Sequence, residues 1–98
     1  MQKFLLLYQG PATPPGASHE GWPQWFHQLG DHLVDRGLPM AQGLSLRGDG
    51  STADSAISLN GYSIIQAADR GEALRLLHDH PYLSLGHAYT VEVFALGG

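Results

Sequence analysis

Apolar residues occupy both odd and even positions of Phe4-Leu5-Leu6-Leu7-Tyr8, the pattern of a strand buried on both faces rather than one with a wet side. From Gln9 to Gly21 the density of Gly10, Pro11, Pro14, Pro15 and Gly16 opposes both helix and ladder, so this stretch is predicted to be a loop. Trp22, Trp25, Phe26, Leu29 and Leu33 then recur on one helical face. Pro23 suits a first turn and Gly37 with Pro39 a stop, and together they predict a helix over 22–36.

Leu44 and Leu46 alternate with Ser45 and Arg47 ahead of Gly48-Asp49-Gly50-Ser51, and Ile57 and Leu59 precede the apolar run from Tyr62 to Ala68. These read as a strand, a turn and a second strand, with Asn60-Gly61 suited equally to a tight turn or a bulge. Asp69-Arg70-Gly71-Glu72 has the spacing of a capping box and opens a helix that carries Ala73, Leu74 and Leu77 and ends near His80, before Pro81. A last strand follows from Tyr89 to Ala95, and Gly97-Gly98 reads as a free tail.

The order β, α, β, β, α, β over residues 1–98 predicts a single α+β domain of ferredoxin-like type. Its four-stranded antiparallel sheet would be covered by two helices on one face. The other face should be polar if it met water, yet the first, third and last strands are apolar at both parities. Burying several hundred Å² of such surface is worth on the order of 10 kcal/mol before association costs are subtracted. A homodimer is therefore expected, sheet against sheet, with room for a cleft.

Composition narrows the partners. Hydrophobic residues make up 43% and charged residues only 14%, and the net charge of −4 leaves no basic stripe for phosphates. Nucleic acid and anionic membrane are excluded as expected partners. The absence of cysteine removes disulfides and thiolate chemistry. The apolar run at Phe4–Tyr8 is too short for a signal core or a membrane span, so a cytoplasmic protein is expected.

Six histidines raise the question of acid/base or metal chemistry. His27 and His32 are five apart, about 140° around a helix, and cannot grip one ion. His78-Asp79-His80 suits the negative end of a helix dipole better than a metal. No cofactor or metal is expected. His32 with Asp35 three residues on is the candidate catalytic pair, the carboxylate orienting the ring. Tyr8 and Tyr62, at opposite ends of their strands, suit a pocket rim, and with His80 they form the candidate ligand-binding set. Trp22 and Trp25 belong to the helix-on-sheet core, and Gly48 to Ser51 is a hairpin turn rather than a phosphate cradle, since no P-loop lysine follows.

Several segments resemble the YCII-related proteins of the dimeric α+β barrel superfamily. They are Lys3 to Tyr8, Trp22 to Gly37, Gly61-Tyr62-Ser63-Ile64-Ile65, Glu72-Ala73, His80-Pro81 and Val91-Glu92-Val93. The resemblance implies a ferredoxin-like fold, a dimer and a cleft for which an enzymatic role has been proposed. Some members pair a His near the start of the first helix with an Asp near its end; here these positions fall on Trp25 and Asp35. The Gly-Pro-Phe seen in relatives before the third strand is replaced by Ser55-Ala56-Ile57-Ser58. The expected function is a homodimer that binds a small organic molecule in a cleft, with weak acid/base chemistry around His32 and Asp35 or Tyr8. The alternative is a non-catalytic dimerisation or protein-interaction module.

Overall fold

The computed structural model describes residues 1–11, 21–78 and 80–97. Most of the predicted Pro/Gly-rich loop, together with Asp79 and Gly98, lies outside these residues. Strand β1 (Gln2–Gln9) is followed by helix α1 (Gly21–Leu29), strands β2 (Leu33–Asp35), β3 (Leu44–Leu46), β4 (Thr52–Asp54) and β5 (Leu59–Ala67), helix α2 (Arg70–Leu77) and strand β6 (Thr90–Ala95). The main sheet runs β2-β5-β1-β6 with every neighbouring pair antiparallel, and β3-β4 form a separate two-stranded sheet. This is the ferredoxin-like α+β fold, with a hairpin inserted between its second and third sheet strands.

Two boundaries differ from the hydrophobic pattern. The helix predicted over 22–36 ends at Leu29, because Gly30 adopts the left-handed φ of +53° that closes helices, and Leu33–Asp35 instead forms the edge strand β2. Leu33 still packs against the core, so its spacing from Leu29 fits both readings. Consequently the strand predicted at 44–47 is not part of the main sheet. The second correction is that α2 stops at Leu77, and a short 3-10 helix, Pro81–Leu85, follows it.

Strand β4 is not among the predicted elements, since the sequence pattern leads from the turn at Gly48 to Ser51 into the strand from Ile57; the remaining elements follow their sequence signals. The Asp69 carboxylate accepts from the Glu72 N–H at 2.8 Å, and the Glu72 carboxylate accepts from Ala68 N–H at 3.0 Å, one residue before the cap. Asn60 is the extra residue of a bulge, since Tyr8 faces Gly61 while Gln9 faces Leu59. Phe4, Leu6, Tyr8, Ile65 and Ala67 point from the sheet to meet Trp25 and Leu29 of α1 and Ala73 and Leu77 of α2 in one buried core. The Trp25 indole N–H, donating to the Leu76 carbonyl at 3.3 Å, ties the two helices together.

Candidate functional site

The residues singled out above are divided among three places. Tyr8 and His80 lie beneath the helices, where both are almost fully buried. His80 caps the 3-10 helix: Pro81 takes the first position, where no N–H is needed, and the backbone N–H of Tyr82 donates to His80 Nδ1 at 2.9 Å. With Nδ1 accepting, the proton must sit on Nε2, which faces the Tyr8 hydroxyl at 3.3 Å. Tyr8 in turn donates to Ser63 Oγ at 2.7 Å, and Ser63 donates to the Arg36 carbonyl at 2.7 Å. The result is a one-way hydrogen-bond chain that begins on a backbone amide and ends on a backbone carbonyl.

Aromatic rings enclose this chain. Trp25 and Trp22 meet the His80 ring with centroids at 4.1 and 4.8 Å, and Tyr82 stands 5.2 Å from Tyr8. Burial lowers the His80 imidazole to about 4, and burial, opposed by the Ser63 hydrogen bond, pushes the Tyr8 hydroxyl up to about 12. Both groups are therefore neutral at pH 7, with their polar atoms already paired. Chemically the chain is suited to holding β1, β5, the end of β2 and the 3-10 helix in register, not to moving a proton.

His32 occupies a second place, at the sheet edge beside the start of α2. Its Nδ1 lies 2.9 Å from the Gln66 carbonyl oxygen, which can only accept, so Nδ1 carries a hydrogen. Glu72 Oε1 stands 3.7 Å from the same Nδ1, both side chains being about one third exposed. Asp35 is engaged elsewhere: its carboxylate accepts from the Gly37 N–H at 2.9 Å and shapes the turn after β2. The carboxylate that faces His32 is thus Glu72, from a helix 40 residues downstream, which the three-residue spacing of His32 and Asp35 did not indicate.

Tyr62 belongs to the third place, the sheet face that no helix of the described residues covers. Alternation puts Leu5 and Leu7 of β1, Tyr62 and Ile64 of β5, and Glu92 and Phe94 of β6 on this side. The register aligns them in rows, Ile64-Leu5-Phe94 and Tyr62-Leu7-Glu92. Phe94 is 52% exposed. Glu92 therefore stands among apolar neighbours at roughly two strand spacings, about 10 Å, from Tyr62 across Leu7. Sequence reasoning missed it because an acid between Val91 and Val93 reads as the wet side of a strand.

A shallow groove of about 290 Å³ between α2 and β6 is lined by Phe4, Arg70, Leu74, Val93 and Ala95, and holds none of the candidate residues. Among the described residues no three His, Asp or Glu side chains gather where a metal could be held, and no helix is long and apolar enough to cross a membrane.

No curated protein matches the chain. A family model, that of the YCII-related domain, matches residues 16–96, from ahead of α1 to beyond the end of β6. That span contains both helices and all but the first of the sheet strands, and the chain belongs to the YCII-related domain family.

Proposed function

We propose that this YCII-related domain acts as a homodimer that binds a small organic molecule in a cleft between two open sheet faces. The observation that carries the reading is the row Tyr62-Leu7-Glu92, bordered by Leu5, Ile64 and Phe94. Apolar surface of this extent gains by pairing with a copy of itself. A carboxylate and a phenol beside Leu5, Leu7, Ile64 and Phe94, with the pairs Lys3-Gln66 and Gln9-Thr90 at the two ends of the face, are polar groups able to orient a ligand in such a site. The chemistry favours a flat or aliphatic body with an amine or other donor for Glu92.

Light scattering at micromolar concentration should return twice the 10.6 kDa chain mass. A mass of 10.6 kDa would end the dimer reading. Titration with a panel of aromatic amines, followed by amide NMR, should shift the signals of Leu7, Tyr62 and Glu92, and Glu92→Gln should weaken binding roughly tenfold, the scale of a charge-assisted hydrogen bond. Shifts confined to the groove beside Arg70 would relocate the site.

A second reading is favoured by one observation, the hydrogen bond from His32 Nδ1 to the Gln66 carbonyl with the Glu72 carboxylate beside it. It makes His32 a general base oriented by the Gln66 carbonyl and Glu72. Loss of turnover in both His32→Gln and Glu72→Gln, with turnover retained in Asp35→Asn, is its expected signature.

A further inference from the structure

The β3-β4 hairpin is built unlike the rest of the molecule. Almost every residue from 38 to 58 is exposed, and neither strand bonds to the main sheet. Leu44 and Leu46 lie on one side of the hairpin, two residues apart and paired with Asp54 and Thr52, yet they are 71% and 74% exposed. An isolated two-stranded hairpin is marginal in water, and leucines on its surface contribute nothing until something covers them. The radius of gyration, 14.7 Å against about 13 Å for a compact chain of this length, is consistent with a projecting element.

The base of the hairpin is well held. Ser58 Oγ donates to the Gly10 carbonyl at 2.6 Å, Gly10 N–H donates to the Ser58 carbonyl at 3.1 Å, and Asn60 donates to the Pro11 carbonyl at 2.9 Å. The internal turn is equally specific, with Asp49 accepting from both the N–H and the hydroxyl of Ser51. An element fixed at its base, closed at its tip and carrying two exposed leucines on one side, beside Asp54 and Thr52, has the character of an arm.

We propose that this arm is exchanged between two copies of the chain, so that Leu44 and Leu46 of one copy lie against the open sheet face of the other and close its cleft. The inference rests on the homodimer proposed above and makes each site depend on both chains. Three features select a second copy as the occupant. The open face is the complementary uncovered apolar surface, and it belongs to the same sequence. The two strands lie side by side, three residues each, and reach roughly 10 Å, about two strand spacings of the partner's sheet. The charges are complementary in kind: the arm carries Asp54 beside the leucines and Arg47 at its turn, while Lys3 and Glu92 stand on the parity of the open face.

The test combines sedimentation with hydrogen exchange. In a Leu44→Asp/Leu46→Asp variant the dimer dissociation constant should rise at least tenfold with an unchanged circular dichroism spectrum, since both side chains are exposed within one chain. In the unmodified protein, the amides of residues 44–46 and 52–54 should gain protection as concentration passes through the dimerisation range, a readout that does not depend on the variant folding. A wild-type dimer whose arm exchanges freely at all concentrations, with the variant dimerising equally well, would overturn the exchanged arm and leave sheet-to-sheet pairing intact. A monomeric wild type would overturn both.

Discussion

Replacing Gly37 by alanine should cost this domain about 3 kcal/mol or more, a large part of the 5–15 kcal/mol that holds a typical domain together. Gly37 has a φ of +77°, a region where a side chain alone costs roughly 1–2 kcal/mol. The added Cβ would land on the carbonyl oxygen of Tyr62. That carbonyl belongs to the backbone of β5, where Tyr62 is paired with Leu7 and its own N–H donates to the Leu38 carbonyl at 3.3 Å, so it cannot withdraw without breaking the sheet. Gly30 supplies the control. Its φ is also positive but nothing stands within 4 Å of a Cβ there, so Gly30→Ala should show the conformational cost without the collision. Urea denaturation of the two variants side by side separates the effects, and equal losses would refute the close approach of Gly37 to β5.

His80→Ala should destabilise the fold by about 3–5 kcal/mol at pH 7. It removes a ring packed between Trp22 and Trp25, and it leaves the buried Tyr82 N–H and Tyr8 hydroxyl short of a partner. The pH dependence follows from the lowered imidazole. The folded-state value of about 4 lies below the unfolded value of 6.5, so between them the unfolded chain binds the extra proton. The advantage of a neutral buried ring is complete above pH 6.5 and is lost as pH falls toward 4. At 1.36 kcal/mol per unit it amounts to about 3 kcal/mol. The stability gap between wild type and His80→Ala should therefore narrow by about that amount from pH 7 to pH 4. A gap that stays constant would show that the ring is not buried in its neutral form.

How much of this was legible in the sequence depended on whether the signal was local. The two long strands, the capping box at Asp69 and the hairpin turn at Gly48 to Ser51 were legible because each rests on residues close together in the chain. The end of α1 was not, since Leu33 lies four residues after Leu29 and can bury itself equally from another helical turn or from an edge strand. Gly30 was the signal that separated the two. Ser63 was invisible for a similar reason, a hydroxyl between Tyr62 and Ile64 that looks like a wet position until Tyr8 and Arg36 are brought to it. The site residues divided because strand parity separates Tyr8 from Tyr62 onto opposite faces, whereas both sit at strand ends in the sequence.

The hydrogen-bond chain through His80, Tyr8 and Ser63 also has a kinetic meaning. Tyr8 and His80 are separated by 72 residues and Tyr8 and Ser63 by 55, so the loops they close are long ones. Such contacts form only after their flanking elements have docked, and the ordering cost is met before the bonds are made. Disrupting them should then leave the folding rate nearly unchanged and accelerate unfolding. In that sense the chain governs how long a folded molecule lasts more than how quickly it is reached.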